Sequence, residues 1–206
     1  MFIGAHNTMT YLPPKQWWLR PFKFIAQCQR KDYKTLHEKY DVDAFDLRIF
    51  YDKSHNLEFR HGLYRYDANN FEEVLQYCND NKLYVRFLFE YRKTTEKRDD
   101  IDELKRKFKE LCQEVEEKYT DIKFYGGYVT ETCESLYTFK NNVEEAPFYS
   151  STTSLFGEDD YSWTRYIDDW CPWIYAKLFN KKNFEANAVK YADTDICVVY
   201  DFNNIR

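Results

Sequence analysis

A nearly continuous apolar strand, Leu83–Tyr91, then an amphipathic helix, then a second apolar strand, Ile122–Val129, constrain the fold more than anything else in this chain. A strand with so little polar alternation needs cover on both faces, as in a parallel sheet flanked by helices. The intervening helix offers that cover: Ile101, Leu104, Phe108, Leu111, Val115 and Tyr119 recur at helical spacing, with Lys and Glu elsewhere. Further strands read at Phe2–Ala5, Ala44–Tyr51, Leu57–His61 and Ile196–Phe202, and helices at Asp32–Tyr40, from Asn70 to about Asn79, and around Phe184–Tyr191. A turn follows Leu57–His61, Gly126-Gly127 marks a bend, Lys15–Arg30 mixes helix and loop after Pro13-Pro14, and residues 141–175 read as irregular and aromatic-rich. This order predicts an α/β fold with a parallel sheet. A compact (β/α)8 TIM-type barrel would use the whole chain, with one or two helices missing or replaced by loops, since 206 residues is near the lower limit for that fold. With no repeat, linker or low-complexity stretch, a single domain over residues 1–206 is expected.

Net charge is −5, with acidic and basic residues read as spread along the chain, and no basic stripe suggests nucleic acid as a partner. Any anion site must therefore be local, built from a few Arg or Lys. Aromatics reach 20% of the chain, enough to leave some over for a rim facing a ligand or a membrane. Cysteines 28, 78, 112, 133, 171 and 197 form no CxxC pair. Cys78, Cys112 and Cys197 fall on apolar faces and read as small buried hydrophobes, so neither a disulfide nor a zinc site is expected. No signal peptide and no apolar run of transmembrane length appear, so a cytoplasmic location is expected of the chain as given, and secretion if a signal has been trimmed.

Chemistry-bearing residues sit in short signatures. Gly4-Ala5-His6-Asn7-Thr8 opens the chain, Phe45-Asp46-Leu47-Arg48 and Arg60-His61-Gly62 follow, and Val198-Val199-Tyr200-Asp201-Phe202-Asn203-Asn204 closes it. On the strand reading, His6, Arg48, His61, Glu90 and Asp201 lie at C-terminal strand ends, where a (β/α) barrel places its chemistry. Imidazoles titrate near neutrality and suit proton transfer in either direction, each worth roughly 10²–10⁴-fold in rate. A carboxylate bonded to such a base fixes its tautomer and stabilises its cation, as Asp201 could for His6. A planar guanidinium such as Arg48 can grip two phosphate oxygens.

These four ordered motifs resemble the catalytic X-domain of phosphatidylinositol-specific phospholipases C, and its small bacterial branch more than the eukaryotic signalling branch. The resemblance runs from residue 3 to residue 204 and implies a barrel enzyme acting by internal attack. The inositol 2-hydroxyl would displace diacylglycerol and leave a cyclic inositol phosphate. It implies His6 as general base, Asp201 as its orienting carboxylate, His61 as general acid, and Arg48 with Asn7 on the phosphate. Asp46 would hold Arg48 or a histidine in place. Arginine replaces the signalling branch's calcium at this position, so no metal and no other cofactor is expected.

Two residues depart from the bacterial pattern. Asn7 stands where bacterial members usually carry Asp, and Glu90 where they carry Lys. Glu90 would bind an inositol hydroxyl or neutralise Arg48; the alternative is a partial calcium site through Asn7, Asp46 and Glu90. The expected partner is phosphatidylinositol or a related inositol phosphodiester, with transient contact to a membrane surface and a monomeric chain. A soluble non-lipid diester, or phosphoinositide binding without turnover, are the competing readings. Elsewhere, His37 and His55 read as surface residues, and Arg86, Arg92 and Lys93 as a solvated face or else as added positive potential near the substrate. Arg60 should point away from the site. Trp17-Trp18 suits either a lipid-interface anchor or helix packing, and Tyr161, Trp163, Arg165, Trp170 and Trp173 either ligand contact or core and lid packing.

Overall fold

Alternation of apolar strands and amphipathic helices sets the element order in the computed structural model, which describes residues 2–93, 97–140, 149–150, 172–192 and 197–201. The strands are β1 (Phe2–Ala5), β2 (Ala44–Tyr51), β3 (Leu57–His61), β4 (Tyr64–Asp67), β5 (Tyr84–Phe89), β6 (Lys123–Val129), β7 (Tyr149–Ser150) and β8 (Cys197–Tyr200). The α-helices are α1 (Tyr33–Tyr40), α2 (Phe71–Asp80), α3 (Ile101–Lys118) and α4 (Pro172–Lys190), with 3₁₀ segments at Thr8–Tyr11 and Trp17–Ile25. Asp32 starts α1 by accepting a hydrogen bond from the Thr35 N–H (3.0 Å). α2 buries Phe71, Val74, Leu75 and Cys78, its expected stripe. α3 buries Leu104, Phe108, Cys112 and Val115, while Leu111 lies at the margin.

The chain forms two compact units, each assembled from separated segments: residues 1–13, 17–46 and 144–206 in one, residues 14–16 and 47–143 in the other. In the first unit, β1 pairs in parallel with β8, from Phe2↔Cys197 to Ala5↔Tyr200, and with the start of β2 through Gly4↔Ala44 and Ala5↔Phe45. β7 lies parallel on the other side of β8. Phe184 and Ile3 pack on Tyr191, Val198 and Tyr200.

In the second unit the remainder of β2 runs antiparallel to β3, which runs antiparallel to β4. β2 also pairs with β5, and β5 with β6 in parallel. That last register slips between Phe87 and Leu88, opposite Gly126-Gly127, whose φ values of 104° and 80° admit the extra residue. Phenylalanines fill this unit: Phe87 stacks on Phe108 at 5.5 Å between centroids, Phe50 lies 5.1 Å from Phe89, and Phe124 stacks on Phe139 at 4.9 Å.

Several expectations change here. The observed architecture is mixed α/β with a chiefly parallel sheet, because the β3–β4 hairpin pairs antiparallel onto β2. β6 has β5 and β7 has β8 as sole strand neighbour among the described residues, so the expected closed barrel is incomplete there. β4 occupies what reads as a turn, and α4 begins at Pro172, inside the stretch read as irregular. Arg48 lies mid-strand rather than at a strand end, since β2 has the expected bounds and its last three residues, Ile49–Tyr51, pair with β3. His61 ends an antiparallel strand, while His6, Glu90 and Asp201 follow β1, β5 and β8 as expected.

Candidate functional site

Within the first unit, the parallel pairing of β1 and β8 sets His6 beside Asp201. The His6 N–H is anchored on the Tyr200 carbonyl (3.1 Å), and His6 Nδ1 lies 2.8 Å from Asp201 Oδ1. An acceptor carboxylate at Nδ1 places the ring proton there and leaves the Nε2 lone pair outward. Asn7 Nδ2 lies 3.2 Å from that Nε2 and donates to it in this tautomer. Asn7 itself adopts the left-handed conformation (φ 44°, ψ 57°), which Asn tolerates better than most residues. Its N–H donates to Asp46 Oδ2 (3.2 Å), an oxygen that lies 3.9 Å from His6 Nε2, and Asp46 is fully buried.

The turn after His6 is held by hydroxyls. Thr8 Oγ1 donates to the Ala5 carbonyl and accepts from the Asp46 N–H, both at 3.0 Å. Thr10 Oγ1 donates to the Asn7 carbonyl (2.9 Å) and accepts from the N–H groups of Cys28 and Gln29. Gln29, completely buried, donates to the Tyr200 carbonyl at 2.7 Å and the His6 carbonyl at 3.3 Å, clamping both strand ends.

The second unit carries a charged cluster around Glu90. Its buried carboxylate meets Arg48 Nη1 at 3.3 Å, the Gly62 N–H at 3.1 Å and Arg92 Nε at 3.6 Å. Gly62 takes φ 57° as the first residue of the two-residue turn joining β3 to β4, and so presents its N–H. Burial pushes Glu90 up, but Arg48, the His61 imidazole, the Gly62 N–H and Arg92 together outweigh it and hold the carboxyl below its ordinary range. A cavity of about 320 Å³ is lined by Arg48, Glu90, Arg92, Thr130 and Glu131. Thr130 Oγ1 is buried without a hydrogen-bond partner.

The structure thus brings His6, Asn7, Asp46 and Asp201 together in one unit, and Arg48, His61 and Glu90 in the other. Gln29, Thr10 and Thr130 are additions that carry no local signature. Arg86 is buried rather than solvated, and Arg92 lines the cavity. Arg60 is buried with its guanidinium 4.6 Å over the Phe50 ring. His55 is half-buried, 2.9 Å from Asp100 and 3.4 Å from Glu103, rather than a free surface residue. Tyr161, Trp163, Arg165 and Trp170 lie outside the described residues. Among the described residues, His6, Cys28 and Asp201 offer donor atoms within 4.8 Å of one another, a set that could hold a metal ion. No described helix is long and apolar enough to cross a membrane.

No family model matches the chain, and no curated protein matches it by sequence. In structure it is similar to the phosphatidylinositol-specific phospholipase C from Listeria monocytogenes, with a TM-score of 0.54 and 16% identity, covering 98% of this chain and 87% of that one. At that identity the likeness is one of fold.

Proposed function

We propose that the chain is a phosphodiesterase of the phosphatidylinositol-specific phospholipase C type, working by internal attack without a metal. The His6–Asp201 pair at 2.8 Å carries this reading: it is a base with its tautomer set and its lone pair outward. In the proposed reaction His6 Nε2 takes the proton of the inositol 2-hydroxyl as that oxygen bonds to phosphorus. The bond from phosphorus to the glycerol oxygen breaks, and His61 protonates the departing oxygen. The products are diacylglycerol and a cyclic inositol phosphate. Arg48 and Asn7 bind the phosphate, and Asp46 positions the turn that carries Asn7. The resemblance of the four sequence motifs and the fold likeness support the same assignment.

Supporting the metal-free form is the engagement of Glu90 by two guanidiniums and a backbone N–H, which leaves its carboxylate already neutralised. The cavity wall balances Arg48 and Arg92 against Glu90 and Glu131, so it has no surplus positive charge for extra phosphate groups. That balance favours the unphosphorylated inositol head group. One contact favours a second reading, binding without turnover: the Asn7 amide lies on the Nε2 lone pair that the base needs.

Phosphorus NMR of the protein with phosphatidylinositol in detergent micelles, excess chelator present, separates the two. A cyclic inositol phosphate signal is the expected result. No turnover from the folded protein, with or without added calcium, would leave only binding or a different diester.

A further inference from the structure

Cys28 stands beside the His6–Asp201 pair, brought there by tertiary approach within the first unit. Its Sγ, a ring nitrogen of His6 and a carboxylate oxygen of Asp201 all lie within 4.8 Å of one another. Each of the three is fixed through its backbone. The His6 N–H bonds to the Tyr200 carbonyl at 3.1 Å, and Thr10 Oγ1 accepts the Cys28 N–H at 3.0 Å. Asn180 Nδ2 donates to the Asp201 carbonyl at 2.6 Å. Gln29, next to Cys28, donates to the carbonyls of both His6 and Tyr200. Cys28 is buried and forms no disulfide, and its thiol donates to the Ala26 carbonyl at 3.9 Å, a weak bond that a metal displaces easily. The proposed reaction gives this thiol no task.

Imidazole, thiolate and carboxylate are donors that zinc sites use. A zinc ion with bonds of about 2.0–2.3 Å keeps its ligand atoms roughly 3–4 Å apart, so movements of about 1 Å close this set. Thiolate selects zinc over calcium and magnesium, which prefer oxygen. Three protein ligands leave a fourth position for water. Charge balances on binding: the thiol releases its proton, and thiolate and carboxylate together offset the two positive charges of zinc. The consequence for His6 follows from its tautomer. Nδ1 is the nitrogen on the Asp201 side, so the metal takes Nδ1 and the ring proton passes to Nε2. The lone pair that the proposed reaction needs is then gone. Asn7, whose amide lies 3.2 Å from Nε2, can turn over and accept that proton through Oδ1.

We infer that His6, Cys28 and Asp201 form an inhibitory zinc site, in which the metal sequesters the base. Zinc binding stands apart from the phosphodiesterase reading, whereas the inhibition rests on it. The test starts from protein treated with chelator and desalted. Titration calorimetry with zinc at about pH 8, where a free imidazole is neutral, should give one ion per chain. Repeated in buffers of different ionisation enthalpy, it should show release of about one proton. Binding should be roughly a hundredfold or more tighter than that of calcium or magnesium. Cobalt(II) in place of zinc should give the near-ultraviolet band of a metal thiolate. That band should persist in Cys133→Ser, which lacks the exposed thiol of the second unit, and vanish in Cys28→Ser. Losing an outer partner of a metal ligand costs about 10–100-fold in affinity, so losing the Cys28 ligand itself should cost roughly a hundredfold or more. Zinc that saturates the wild type should stop its turnover, while Cys28→Ser at the same zinc concentration stays close to its own zinc-free rate.

No zinc binding, binding no tighter than that of calcium, a cobalt spectrum without the thiolate band, or wild-type zinc affinity in Cys28→Ser would overturn the inference. So would full turnover with zinc saturating the wild type. The cobalt band is read on the wild-type chain and does not depend on the variant folding. Zinc binding with the thiolate band, in a chain inactive on every diester before zinc is added, would uphold the metal site and refute the phosphodiesterase reading. Turnover by a chain that binds no zinc would do the reverse.

Discussion

At His6, the proposed function depends on a hydrogen bond between residues 195 positions apart, His6 Nδ1 and Asp201 Oδ1 at 2.8 Å. Asp201→Asn keeps the shape of the pair but removes the charge that fixes the tautomer. Turnover should fall roughly 10²–10⁴-fold with circular dichroism unchanged, as should His6→Ala. Arg48→Ala should cost about 2–4 kcal/mol of transition-state stabilisation, read from kcat/KM. Glu90 makes the sharpest stability prediction. Its carboxyl is held below the ordinary value, so its contribution is fully present above about pH 4 and is lost as pH falls through the lowered value. Glu90→Gln should cost about 3 kcal/mol near neutral pH, by urea unfolding, because it leaves the buried side of Arg48 without its counter-charge. The difference between wild type and variant should shrink in acid. The side chains proposed to react stand out in the sequence because short signatures surround them. Gln29 and Thr10 do not: a buried amide clamping carbonyls at residues 6 and 200 is a product of tertiary approach.

Elements were legible in proportion to how strongly burial patterned them. Phe2–Ala5, Ala44–Tyr51 and Leu57–His61 form strands with the expected bounds, since apolar runs left little choice. β4 was missed because Tyr64-Arg65-Tyr66-Asp67 is only four residues long, and its alternation reads as chance beside a glycine turn. The start of α4 was hidden by its inversion, since buried asparagines and an exposed leucine defeat an apolar-face argument. The Gly126-Gly127 bend did announce itself. A Cβ on Gly126 would stand 2.5 Å from the Phe87 carbonyl oxygen, and one on Gly127 would collide with the Tyr137 carbonyl. With φ at 80° as well, Gly127→Ala should cost about 2 kcal/mol or more of stability, read from urea unfolding. Removing the α1 cap with Asp32→Ala should cost about 1 kcal/mol by the same measurement.

For the molecule as a whole, strand–helix order revealed the α/β class, while pairing direction stayed hidden: nothing local says that β3 returns antiparallel along β2. The aromatic excess is divided, with phenylalanines packed in the second unit and Trp17, Trp18, Phe22 and Phe24 left outside in the first. If Arg48 and Asn7 bind the phosphate without a metal, dialysis against excess chelator should leave both turnover and melting temperature unchanged; a loss restored by calcium would contradict it. The long span from His6 to Asp201 also has a meaning in time. A ribosome working at about 5–20 residues per second finishes residues 14–16 and 47–143 several seconds before β8 emerges. The nascent chain therefore carries Arg48, His61 and Glu90 without the carboxylate that pairs with His6. Synthesis of Asp201 then completes the proposed His6–Asp201 pair, and a nonsense mutation anywhere before Asp201 should yield a protein without turnover of phosphatidylinositol.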